Sequence, residues 1–289
     1  LYSISAYHQN YSALIESLRS FKTYDKRLFF LLVSTGNLEL VKIYLTFDIS
    51  CVHSIDFESW SVAHYSVIPS NDISVLQFLH SKYKIDLQQP TITGAQPIHI
   101  ACLSGNIKAV KFLIEQLGPQ IVHTPTFKDE LPIHMACKSG NHQLVNFLLK
   151  EFNCKDEVLK PTISGWLCIH YACDTGSKII TDHLIRCDPS KNSLKALTND
   201  RETPLHLACK SGFIDLVTHL MKFPEISKHS VKILTNTKAS ILHYAYLSGN
   251  MKLIRQISTI MTNQLGPSVT RSKTTMNENI FHFACLGGN

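Results

Sequence analysis

His206-Leu-Ala-Cys-Lys-Ser-Gly212 is the fourth of four near-identical heptapeptides; His99-Ile-Ala-Cys-Leu-Ser-Gly105, His134-Met-Ala-Cys-Lys-Ser-Gly140 and His170-Tyr-Ala-Cys-Asp-Thr-Gly176 precede it. His243 and His282 begin two looser copies that end at Gly249 and Gly288, and His64 begins an eroded one. From His64 onward, successive histidines lie 35, 35, 36, 36, 37 and 39 residues apart. A fixed period of this size marks a stack of small supersecondary units around a shared core. It overrides the two-domain prior that 289 residues would suggest. It also directs the search for function to a surface rather than a pocket.

One unit can be read residue by residue. Thr91 to Pro97 is a turn in which Gly94 is free to adopt positive φ. Pro97 suits the first turn of a helix, where its missing N–H costs nothing. Ile98 to Leu103 form a short helix, broken by Ser104-Gly105-Asn106. Ile107 to Gln116 form a second helix with Val110, Leu113 and Ile114 at helical spacing, and Gly118-Pro119 ends it. Neither helix is long enough to be stable alone in water, so each unit must lay its apolar faces on its neighbours. The framework extends beyond the heptapeptide. Thr91, Thr126, Thr162, Thr198, Thr235 and Thr274 stand eight residues before a histidine, and Val52, Leu87, Val122, Val158, Leu194 and Val231 stand twelve before one. Residues 36–45 read as one more second helix, whose first half carries Phe30 at the histidine position.

Thr203-Pro-Leu-His-Leu-Ala208 matches the signature of the ankyrin repeat literally, and Gln96-Pro-Ile-His-Ile-Ala101 and Leu131-Pro-Ile-His-Met-Ala136 match it closely. The chain therefore resembles that family from about residue 24 to its end. The departures are a cysteine for the second alanine, Cys168 and Ile241 in place of proline, and longer linkers such as Phe223 to Ile233. The resemblance implies an all-α ankyrin-repeat solenoid of helix-turn-helix units joined by β-turn or hairpin-like fingers. About seven units are expected, near 24–50, 56–84, 91–118, 126–153, 162–188, 198–224 and 235–262, with a truncated eighth at 274–289. Residues 1–23 read as an eroded unit or cap, with Ala13, Leu14 and Leu18 on one helix face.

Histidine and cysteine three apart share a helix face and resemble half a zinc site. The pattern's sameness argues for framework instead: a small buried thiol and, by the family resemblance, a histidine that ties its turn to neighbouring backbone. A catalytic pair such as His170 and Cys173 would need one special constellation, and this one recurs five times. No phosphate loop, paired-carboxylate motif or nucleophile elbow is visible. The expectation is no catalytic residue, no cofactor and no metal.

The charge is spread evenly: residues 1–150 carry 12 basic and 11 acidic groups, and residues 151–289 carry 16 and 11. That excludes a basic stripe for nucleic acid. The longest apolar run, Leu28 to Val33, is too short for a bilayer. Five of the nine cysteines share one slot a whole repeat apart, too far to bridge, so free thiols and a reducing cytoplasmic compartment are expected. The sequon Asn10-Tyr11-Ser12 points weakly the other way. A start at Leu1 and a stop just after a Gly-Gly turn suggest a fragment of something longer.

In a solenoid the framework repeats and the binding face varies. By resemblance, that face comprises positions seven, six and four before the histidine, and four and five after it. The candidates are Phe127, Lys128, Glu130, Lys138, Trp166, Asp174, Asp200, Glu202, Lys210 and Trp60. The two tryptophans stand four before a histidine, either as exposed anchors or as rings packed on their own turns. The mixed charge fits a protein partner rather than a membrane or nucleic acid. The expected function is non-enzymatic protein binding by a monomeric scaffold or adaptor segment. The alternative is the cytosolic region of a membrane channel or a regulatory arm of an enzyme such as a kinase. Stability should peak between Gln96 and Met221, and opening should begin in the unit with Ser66 and Ser70 at the alanine and glycine slots, or at the truncated end.

Overall fold

Each first helix starts where its sequence can close the N-terminal turn. A computed structural model describes residues 26–69 and 72–287; the candidate cap at 1–23 and Ser70 lie outside the described residues. The repeat histidine is the third helical residue. Its Nδ1 accepts the backbone N–H of the capping residue: Ser61 to His64 at 3.0 Å, Gln96 to His99 at 3.1 Å, Leu131 to His134 at 3.0 Å and Leu167 to His170 at 2.9 Å. The imidazole thus does what Glu or Gln does in an ordinary capping box. Prolines 97, 132 and 204 occupy the first helical position, where no N–H is needed.

The chain forms two compact units, the first ending at Ile121 and the second beginning at Val122. In the first lie α1 (Lys26–Ser34), α2 (Leu38–Leu45), α3 (Val62–Ser66), α4 (Ser74–Tyr83), α5 (Pro97–Leu103) and α6 (Ile107–Leu117). In the second lie α7 (Pro132–Ser139), α8 (His142–Glu151), α9 (Cys168–Asp174), α10 (Lys178–Cys187), α11 (Pro204–Ser211), α12 (Ile214–Leu220), α13 (Pro224–Ser227), α14 (Ile241–Leu247), α15 (Met251–Leu265) and α16 (Ile280–Leu286). Each unit is a stack of antiparallel helix pairs. In the first, α1, α3 and α5 pack in succession, with α2 on α4. In the second, α7, α9, α11, α14 and α16 pack in succession, with α8, α10 and α12 forming the other layer. Among the described residues there is no strand, only one isolated antiparallel bridge, Ile55 to Ser61.

The apolar positions read from the repeat meet inside these stacks. The alanine and cysteine slots are sealed: Ala101, Cys102, Ala136, Cys137, Ala172, Cys173, Ala208 and Cys209 are fully buried. No larger side chain would let neighbouring first helices approach as closely. Second-helix residues such as Val110, Leu113, Leu144, Leu148 and Ile180 are also fully buried, each contributing about 1.5–3 kcal/mol of apolar transfer. Cys285 breaks the pattern: it is exposed, because no later element among the described residues covers α16.

Two features arise from residues that the repeat only hints at. Asparagines start most second helices, and Asn106 and Asn250 also join adjacent repeats. Asn106 accepts the Ala109 N–H at 3.0 Å and donates to the Val67 and Pro69 carbonyls at 3.1 and 2.6 Å. Asn250 likewise reaches the Gly212 carbonyl at 2.8 Å. The long linker from Phe223 to Ile233 is not loose; it holds α13 and a 3₁₀ turn at Ser230–Lys232, seated on buried Ile226 and Val231.

Candidate functional site

Between the helix pairs, each finger is shaped by one threonine. The Thr162 N–H meets the Trp166 carbonyl at 2.9 Å while its Oγ1 accepts the Trp166 N–H at 3.1 Å. Thr91, Thr126, Thr198, Thr235 and Thr274 close their turns in the same way. Asp56 takes this role in the eroded repeat, accepting the Trp60 N–H at 2.8 Å. The residue five before each histidine has positive φ: Ser59, Gly94, Asp129, Gly165, Arg201, Lys238 and Asn277.

Adjacent fingers within a unit are then tied by single main-chain bonds. Ile163 N–H donates to the Lys128 carbonyl, Asn199 to Ser164 and Asn236 to Asp200, each at 3.0 Å, and Thr275 to Thr237 at 2.8 Å. In the first unit Ile92 donates to the Glu58 carbonyl at 3.0 Å. Backbone atoms carry this ladder; the tip amides of Asn199 and Asn236 add a bond to the Ile163 and Asn199 carbonyls at 2.8 and 2.9 Å, whereas the apolar tips lie outside it. Phe127 is 69% exposed and Ile163 59% exposed. Solvated apolar side chains on a rigid turn are available for contact.

The structure places the other candidates in four situations. Lys128, Lys138 and Asp200 stand exposed. Asp174 and Lys210, on consecutive first helices, pair at 2.9 Å. Both are partly exposed, so the pair is worth at most about 1 kcal/mol. Glu130 and Glu202 are half-buried and receive the hydroxyls of Tyr171 and Tyr244 from the next repeat. The two tryptophans are half-buried. Trp166 lies 4.8 Å from the Tyr171 ring and 6.0 Å from His170, and Trp60 lies 5.4 Å from Tyr65 and 5.6 Å from His64. Each ring therefore rests on its own repeat and keeps one edge in solvent.

The histidines beneath this face are structural in their geometry. With Nδ1 accepting, the ring carries its proton on Nε2. In His134 and His170 it donates that proton to a carbonyl at the start of the next repeat, Lys160 at 3.0 Å and Ala196 at 3.2 Å. Burial lowers His134, His170 and His206 to about 4, so they stay neutral. Burial also pushes the Cys173 thiol up to about 12, which leaves it a poor nucleophile.

Three tip residues in the same register are not among the ten candidates read from sequence. Phe57, Ile92 and Ile163, seven before His64, His99 and His170, are exposed like Phe127. Aligning that one position across repeats would have found them. No helix among the described residues is long and apolar enough to cross a membrane. The family model for ankyrin repeats in three copies matches residues 29–124 and 169–263, and that for a single ankyrin repeat matches residues 129–157. No curated protein matches the chain.

Proposed function

The chain belongs to the ankyrin repeat family, whose repeats are generally protein–protein interaction modules, and on that premise we propose that its second unit binds a protein partner through the fingers around Phe127, Lys128, Ile163 and Trp166. The observation that carries this reading is the pair of exposed apolar side chains, Phe127 and Ile163, on neighbouring fingers that a main-chain bond holds in register. Solvated aliphatic and aromatic groups on a prepaid scaffold lose little conformational entropy on binding. The half-buried Trp166 adds a rigid aromatic edge. Glu130, Asp174 and Lys210 form a polar rim, already paired within the chain, that would favour a partner of mixed polarity.

We assign the chain a non-catalytic scaffold or adaptor role, as a monomer in a reducing cytoplasmic compartment. None of the nine cysteines is in a disulfide, and seven are buried, which supports that compartment. The test is cross-linking capture from cell extract with the full chain and with a Phe127→Ser/Ile163→Ser variant. Partners lost with the variant, at unchanged circular dichroism and melting temperature, support the proposal. Equal capture of every partner by both chains would sink it.

A further inference from the structure

Away from the fingers, three metal-ligating side chains converge in the linkers on either side of the α7–α8 helix pair. His123 ends the 3₁₀ turn Pro119–His123; Cys154 follows α8; Glu157 opens the 3₁₀ turn Glu157–Leu159. Their donor atoms all lie within 4.8 Å of one another. We propose that His123 Nδ1, Cys154 Sγ and Glu157 form a binding site for a zinc-class divalent ion, with water as the remaining ligand.

Three observations carry it. First, Cys154 is fully buried and Glu157 only 7% exposed, yet Glu157 Oε2 has no hydrogen-bond partner. A buried carboxylate oxygen without a partner is costly, and a cation removes the cost. Glu157 Oε1 is engaged, taking the His123 Nδ1–H at 3.0 Å and lying 3.6 Å from Lys160 Nζ. Second, the trio departs from the framework. Cys154 and Glu157 stand sixteen and thirteen residues before His170; the same slots hold Ser190 and Ser193 in the next repeat, and Ser227 and Ser230 in the one after. A feature present in one repeat is not needed to build the others. Third, the half-exposed His123 side chain provides a route from solvent.

The donor set selects the ion. Imidazole, carboxylate and thiolate are each zinc ligands, three protein ligands with one open position is a common zinc arrangement, and a thiolate ligand disfavours Mg²⁺ and Ca²⁺. Without metal, Cys154 is a thiol, held up to about 12 by burial, by the Glu157 charge and by a hydrogen bond from the thiol to the Glu157 carboxylate, which coordination would replace. Coordination releases one proton to solvent, from that sulfur, while the His123 ring proton passes from Nδ1 to Nε2 with no net release. The site charge then passes from −1, on Glu157 alone, to zero: two anionic ligands against a dication. Lys160, mostly exposed, opposes the ion and must swing aside.

The test is Co²⁺ titration of the reduced full chain, followed by Zn²⁺ competition against a chromophoric chelator. We expect one equivalent of Co²⁺ and a thiolate-to-cobalt charge-transfer band. Cys154→Ser should abolish the band. His123→Gln and Glu157→Gln should weaken Zn²⁺ binding by at least about tenfold, and Lys160→Gln should tighten it. Cys285→Ser, at an exposed thiol, should change nothing. No band, a band that survives Cys154→Ser, or one lost with Cys285→Ser would overturn the proposal. If Cys154→Ser fails to fold, His123→Gln decides. Zn²⁺ should raise the melting temperature of the parent chain and not that of this variant; an equal rise in both also overturns it.

Discussion

The Tyr171 hydroxyl reaches Glu130 Oε1 in the preceding repeat at 3.3 Å, and the same ring supports Trp166 from within its own repeat. Tyr244 and Glu202 repeat the link two units on. A hydroxyl that spans two repeats strengthens the interface term on which an array's cooperativity depends. Tyr171→Phe should destabilise the chain by about 0.5–1.5 kcal/mol. Urea unfolding of this variant, of Glu130→Gln and of the double variant would show it. Full additivity of the two single losses would mean that the pair does not interact.

Stability should fall as the solution is acidified, well before carboxylates titrate. His134, His170 and His206 are lowered to about 4 by burial, against an ordinary value near 6.5 when unfolded. Between those limits the unfolded chain binds more protons, so stability rises with pH and is lost as pH falls. Each histidine contributes a slope of up to about 1.4 kcal/mol per pH unit in that window. Denaturant midpoints measured from pH 7.5 to 4.5 should decline steadily, and His170→Gln should flatten the decline.

Lys238 holds a left-handed conformation, φ 61°, where the equivalent residues of two other fingers are Gly94 and Gly165. Most L-residues are strained there by about 1–2 kcal/mol. Glycine relieves that strain but gains freedom when unfolded, at about 0.5–1 kcal/mol. Lys238→Gly should therefore be neutral to stabilising, by at most about 1 kcal/mol, in thermal melts. A clear loss would show that the lysine side chain anchors its finger.

Ala172 is fully buried on α9, which packs on α7 and on α11. Ala172→Ile should overpack that contact and cost roughly 1–3 kcal/mol. Hydrogen exchange should report local opening first in α16, where Ile280 alone is buried, and in α3, the five-residue helix carrying Ser66. Ser66 is buried and donates to the Ala63 carbonyl at 2.9 Å, an acceptable fit rather than a close one. Uniform protection across the array would contradict this order.

What was legible in the sequence follows from what repeats. The histidine, alanine, cysteine and threonine slots recur because each repeat solves the same capping and packing problem. Their fixed spacing therefore revealed helices, turns and core. The identity of Asp56 as the stand-in for threonine was not legible, since it depends on Oδ1 reaching the Trp60 N–H. Nor was the posture of Trp166, which is decided by Tyr171 five residues later. The cluster of His123, Cys154 and Glu157 was hidden for a different reason: its members span 34 residues and each occurs once in its slot among the well-formed repeats. Folded helix α13 within the long linker was likewise invisible, because four residues have no periodicity to read.

The single main-chain bond between neighbouring fingers has an evolutionary consequence. It uses the N–H of one tip and the carbonyl of another, and it fixes their separation whatever side chains they carry. Exchanging Ile163 for the asparagine that stands at position 199 would alter what the edge can grip while keeping the main-chain rung, to which the Asn199 amide adds a second bond, to the Ile163 carbonyl at 2.8 Å. Descendants of this chain can thus acquire new partners by point substitution at the tips while inheriting an unchanged scaffold, one finger at a time.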